Sequence, residues 1–125
     1  MEYRRITLEA DMKSAPASVI WASVATARGL QQWFADEVTA EGRHYVFSWK
    51  GSVQEADITA ARTESYVRFK WVDTGTWFEM RINVNELTGH SVLRITDNVE
   101  DDDVDSSTQL WRRQIDRLKI VLGVR

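Results

Sequence analysis

The chain contains no cysteine and a single proline among its 125 residues. Without cysteine there is no disulfide, no thiolate metal ligand and no thiol nucleophile. Such a composition suits a reducing compartment, and a cytoplasmic location is the expectation. Histidine is scarce: His44 and His90 are far apart, each beside a turn, with no second histidine at ligand spacing and no evident orienting carboxylate. Neither a metal site nor a Ser-His-Asp arrangement is expected from them. Long hydrophobic runs are missing, so no membrane span is expected. The opening Met-Glu-Tyr-Arg-Arg lacks the apolar stretch of a secretory signal. Basic residues do not dominate: 16 Lys and Arg face 19 Asp and Glu, a net charge of −3. That argues against a nucleic-acid surface. A Gly-x-Ser-x-Gly elbow and a glycine-rich phosphate loop are both absent, and no cofactor is expected.

What the chain has in excess is tryptophan, six of them, at Trp21, Trp33, Trp49, Trp71, Trp77 and Trp111. Several recur in short patterns with phenylalanine: Trp33-Phe34, Phe47-x-Trp49, Phe69-x-Trp71 and Trp77-Phe78. Each large aromatic buries about 150–250 Å², more than a chain this short requires to make a core. The excess points to a sheet with one aromatic-lined concave face, which is either a ligand pocket or a filled remnant of one.

Periodicity supplies the architecture. Residues 3–13 alternate, with Ile6, Leu8, Ala10 and Met12 on one side. Ser14 is a candidate helix cap before Pro16, and Thr26 a candidate cap for a second short helix, the pair running about 16–33. Strands follow at 37–39, 45–49, 53–61, 67–71, 77–84 and 93–96, parted by turn residues such as Lys50-Gly51-Ser52 and Asp73-Thr74-Gly75. Ala56, Ile58 and Ala60 share one side of their strand. Phe78, Met80, Ile82 and Val84 face away from Trp77, Glu79, Arg81 and Asn83. An acidic segment, 97–105, reads as a solvated loop. A helix over 105–123 then carries Trp111, Ile115, Leu118 and Leu122 on one stripe, widened by Leu110 and Val121 and stopped at Gly123. The pattern predicts one α+β domain over 1–125, with a curved antiparallel sheet wrapped around the last helix.

This order, with Gly29-Leu30-x-x-Trp33-Phe34 closing the second helix, resembles the helix-grip fold of the START-like (SRPBCC) superfamily. Within it, Phe47-Ser48-Trp49-Lys50-Gly51, Phe69-Lys70-Trp71 and Leu93-Arg94-Ile95-Thr96-Asp97 are similar to the branch related to the activator of the ninety-kilodalton heat-shock-protein ATPase. Bacterial stand-alone START-like domains of unknown function look nearest. The resemblance covers essentially the whole chain. It implies a cavity between the sheet and the last helix, suited to lipids or other apolar molecules, and it transfers no catalytic signature.

The candidate pocket residues are Trp33, Phe34, Phe47, Trp49, Phe69, Trp71, Phe78, Met80, Trp111, Ile115 and Leu118, which either line a ligand cavity or fill it. The first functional reading is therefore a non-catalytic domain that binds a hydrophobic small molecule. The alternative is a protein-interaction or chaperone-cofactor domain with a filled pocket, using Asp101, Asp102, Asp103 and the outward Trp77 as its partner surface. A cyclase- or hydrolase-type enzyme ranks third, because acid–base groups are scarce on the inward side. Asp101-x-Asp103-x-Asp105 faintly matches a calcium loop, but Ser106 and Arg112 occupy the positions where the loop requires glycine and glutamate. Arg68 and Lys70 are candidate partners for Glu79, while Glu55 and Asp57 fall on the outward, solvated side of their strand.

Overall fold

Hairpin turns dictate most of the topology. Lys50-Gly51 is a two-residue turn that leaves Trp49 directly opposite Ser52. Gly51 adopts φ +81°, a conformation that costs glycine nothing. The computed structural model describes residues 2–124; Met1 and Arg125, the ends of the expected domain, lie outside them. Its elements are β1 (Tyr3–Asp11), α1 (Ala17–Ala25), α2 (Ala27–Leu30), β2 (Glu37–Glu41), β3 (His44–Trp49), β4 (Ser52–Arg62), β5 (Tyr66–Trp71), β6 (Trp77–Val84), β7 (Ser91–Glu100) and α3 (Val104–Leu122). The seven strands form one antiparallel sheet in the order β1-β7-β6-β5-β4-β3-β2. The helices α1 and α2 carry the chain from one edge of the sheet to the other. A meander then brings it back until β7 pairs with β1.

The core lies between the inner sheet face and α3. Ile6, Leu8, Ala10 and Met12 are buried, as their alternation predicts, and so are Phe47, Phe69, Phe78, Met80, Leu93 and Ile95. From α3 come Trp111, Ile115 and Leu118. The backbone of α3 lies nearest β1 and β7. The wider space toward β3–β5 is occupied by aromatic rings rather than by backbone. Phe34 sits at the centre of these, with ring centroids of Trp33, Phe47, Trp49, Phe78 and Trp111 all 5.3–5.6 Å away.

Four local expectations are corrected. Ser14 does not cap α1: Pro16 holds the N-cap position without a side-chain bond, and its carbonyl accepts Val19 N–H and Ile20 N–H. Lys13, at φ 53°, completes a turn tied to Asp11, which places Ser14 too early for the cap. The second helix stops at Leu30, and residues 31–34 continue as turns. A bulge between Ile58 and Ala60 shifts the register of β4, so Ala60 pairs with the outward Arg68 and Ala61 with the inward Val67. Most consequential for the site, residues 97–100 are strand rather than solvated loop, and only Asp101–Asp103 forms a short 3₁₀ turn before α3.

Candidate functional site

Parity along β7 explains the site. Leu93, Ile95 and Val99 are buried on the inner face, and Asp97 shares their side. Its cross-strand partners are Ile6 in β1 and Phe78 in β6, so a carboxylate stands among apolar neighbours. Two donors hold it: Trp111 Nε1–H donates to Oδ2 at 2.8 Å, and the Asn98 backbone N–H to Oδ1 at 2.8 Å. Burial pushes the Asp97 carboxyl above the usual aspartate range, because the charged form loses hydration. The Trp111 and Asn98 hydrogen bonds oppose that shift without cancelling it.

Asp97 lies on one wall of a cleft of about 340 Å³ between the first half of α3 and strands β3–β5. The other lining residues are Phe34, Trp49, Ser52, Gln54, Trp71, Ser107, Leu110, Trp111 and Gln114. The Phe34 carbonyl accepts both Trp49 Nε1–H and Gln114 Nε2–H, each at 2.9 Å. That oxygen therefore ties the loop after α2 to β3 and α3 and fixes the orientation of the Trp49 indole. Trp49 and Trp71 are half-buried, with centroids 6.4 Å apart. A smaller cleft of about 220 Å³ adjoins it across Phe34, Trp49, Leu110 and Gln114, with Arg113 and Arg117 on its wall.

The residues named as pocket candidates therefore fall into two groups. Phe34, Trp49, Trp71 and Trp111 line the cleft. Phe47, Phe69, Phe78, Met80 and Leu118 are fully buried beneath it, Ile115 is buried further along α3, and Trp33 touches only the smaller cleft. The indole of Trp33 donates to the Ser23 carbonyl at 2.8 Å and anchors α1. The sequence pattern does not single out Asp97, Gln114, Ser52, Gln54 or Ser107 as pocket residues. For Asp97 a signal exists in the alternation of Leu93 and Ile95, but the acidic residues that follow mask it. For Gln114 nothing in the sequence marks a cleft.

The proposed partner-surface residues are partly engaged within the fold. Asp101 pairs with Arg4 at 2.6 Å, while Asp102 and Asp103 are exposed. Trp77 is half-buried on the outer face beneath two guanidinium groups, Arg68 at 3.8 Å and Arg5 at 5.0 Å from the ring centroid. Glu79 accepts from Arg68 as expected, but its second partner is Arg81 rather than Lys70. Arg81 is its neighbour but one on β6 and lies on the same outer face.

His44 also departs from expectation. It is flanked by two carboxylates of β4, with Nδ1 2.7 Å from Asp57 and Nε2 2.8 Å from Glu55. Hydrogen bonds first to Asp57 and then to Glu55 raise its pKa above the ordinary histidine value. The folded state thus favours the imidazolium. Its stabilisation is present below about pH 6.5, the unfolded value, and disappears as pH rises through the raised one. An NMR titration of the His44 ring should show its midpoint falling in Asp57→Asn; an unchanged midpoint would remove this account.

For Asp97 the pH dependence has the same direction for the opposite reason. Folding favours the neutral acid, so its contribution is greatest below about pH 3.9, the unfolded value, and declines as pH rises through the raised one. Asp97→Asn removes the charge but leaves one side-chain acceptor for the two donors, Trp111 Nε1–H and Asn98 N–H. The variant's urea midpoint should therefore gain on the parent's as pH rises from 3 to 7. A difference between the two that is the same at both pH values would contradict this.

An antiparallel sheet gripping a C-terminal helix, with an aromatic cleft between them, defines a helix-grip α+β domain. The START-like superfamily domain matches residues 1–124, and the chain belongs to that family. Its fold is similar to the solution structure of BfR322 from Bacteroides fragilis, at 35% identity, covering 97% of this chain and 92% of that one, with a TM-score of 0.68. The Aha1 dimer from Colwellia psychrerythraea shares the fold at 17% identity, 95% and 96% coverage and a TM-score of 0.80. Protein BH1534 from Bacillus halodurans does so at 18% identity, 95% and 96% coverage and a TM-score of 0.79. No curated protein matches the chain. Among the described residues no helix is long and apolar enough to cross a membrane.

Proposed function

We propose that this domain binds a hydrophobic small molecule in the cleft between α3 and strands β3–β5, without converting it chemically. The observation that carries the proposal is the cleft itself: about 340 Å³ of open space bordered by three indoles and a phenyl ring. That volume is within the range of small-molecule sites, about 300–1,000 Å³. Family membership supports the reading, since START-like domains commonly hold apolar ligands. A non-catalytic role is supported by the lining, in which Asp97 is the sole ionisable side chain among the described residues. No second acid or base among the described lining residues is placed to work with it. The cysteine-free composition supports a cytoplasmic setting. Docking of a protein partner through Asp102, Asp103 and the Trp77 face is the alternative, and it has less support because Trp77 and Asp101 already have partners within the chain.

The test is an amide and indole NMR titration with neutral flavonoid-like and long-chain alcohol probes. Shifts should concentrate at the Trp49, Trp71 and Trp111 indole N–H signals. They should vanish in Leu110→Trp, which fills the cleft from an exposed position on its rim. Saturable shifts confined to residues outside the cleft, or none with any probe, would defeat the proposal.

A further inference from the structure

We propose that the cleft selects a cationic ligand: an apolar or aromatic body carrying a protonated amine or quaternary ammonium, with the cation seated at Asp97 in the cleft that Trp49, Trp71 and Trp111 line. The inference rests on the binding role proposed above and names the ligand's chemical class. Three features of the cleft carry it.

The first is the charge inventory. Among the described lining residues there is one carboxylate and no lysine, arginine or histidine. Arg113 and Arg117 line the adjoining smaller cleft instead. An anionic ligand would meet Asp97 with no compensating cation. A cation would meet an opposite charge in a setting partly screened from water, where Coulomb interactions are stronger than at an exposed surface.

The second feature is spare acceptor capacity. An ionised carboxylate offers roughly four lone-pair sites. The Trp111 indole uses one on Oδ2, and the Asn98 N–H uses one on Oδ1. Each oxygen can therefore accept another donor while both existing bonds hold the group in place. The two bonds do more than satisfy the carboxylate, because they orient it before any ligand arrives.

The third is the ring arrangement. Phe34 lies 5.5 Å from both Trp49 and Trp111, centroid to centroid, and Trp49 lies 6.4 Å from Trp71. Indole faces attract cations within about 6 Å, most strongly when water is excluded. A cluster of indoles beside a single carboxylate supplies both attractions that a desolvated ammonium requires.

The experiment compares three probes of similar size on the full chain by NMR titration: phenethylammonium, phenethyl alcohol and phenylacetate. Phenethylammonium should bind the parent about tenfold more tightly than the alcohol, in line with a partly desolvated cation–π and charge contact. Phenylacetate should be the weakest of the three. Asp97→Asn should abolish the preference for the ammonium over the alcohol. The comparison within the parent requires no variant, so a misfolded Asp97→Asn would not spare the proposal. Equal binding of alcohol and ammonium to the parent would overturn the inference and leave the apolar cleft standing. A preference that survives in a folded Asp97→Asn would also overturn it. Failure of all three probes, together with the neutral panel above, would remove the cleft proposal and this one with it.

Discussion

Gly29→Ala should destabilise the domain by about 2–3 kcal/mol, the upper part of the range for forced overpacking. The cause is backbone proximity. Thr26 Oγ1 donates to the Ala22 carbonyl at 2.6 Å and accepts Gly29 N–H at 3.0 Å. This one hydroxyl draws the start of α2 onto the last turn of α1. A Cβ added at Gly29 would stand 1.9 Å from the Ala22 carbonyl oxygen and 2.7 Å from Ser23 Cα. Neither is the end of a flexible side chain, so α2 has to move. Movement of α2 pulls on Trp33, whose indole is bonded to the Ser23 carbonyl, and on Phe34 at the centre of the ring cluster. The better helix propensity of alanine returns about 1 kcal/mol, so the steric loss exceeds the net one. Gly42→Ala serves as the control. A Cβ added there would meet no atom within 4 Å, and the φ of +62° limits its cost to about 1–2 kcal/mol. Urea denaturation checks both, and a Gly29→Ala loss no greater than that of Gly42→Ala would refute the close-approach argument.

Phe34→Ala should be the other severe change, at about 3–5 kcal/mol, the usual cost of removing a buried phenyl ring. Phe34 is 4% exposed and its ring meets five other aromatic rings. Those rings come from α3, β3, β6 and the loop after α2, so no single neighbour can shift to fill the void. The main-chain carbonyl of residue 34 keeps its two donors in the variant, which separates ring packing from hydrogen bonding. For a chain of this size the melting temperature should fall by roughly 10–20 °C. Phe34→Leu should lose less than half as much. A loss below about 1 kcal/mol for Phe34→Ala would show that the cluster collapses to close the gap and that Phe34 does not hold it together.

The strands and α3 are legible in the sequence because each carries its own period. β1 and β6 alternate, and the α3 stripe is spaced by four, three and four. That information is local, since it states which side of an element is apolar. Asp97 shows how composition can hide the same signal. Its alternation with Leu93 and Ile95 places it inward, yet the acidic residues after it suggest a loop. His44 shows a second limit: its two carboxylate partners lie 11 and 13 residues away and meet it only once β3 pairs with β4 in register.

What the amino-acid order determined by itself was the set of elements, the side most of them would bury and, through Thr26 and the hairpin glycines, where the chain would turn. The tertiary structure alone decided which inward aromatics border open space. Trp49 and Trp71 have the same inward parity as Phe47 and Phe69, yet two line the cleft and two are sealed beneath it. The difference lies in how far α3 stands from each strand. It approaches β1 and β7 and leaves a gap over β3–β5, and the depth of a side chain depends on what lies opposite it, which no period along a single element encodes.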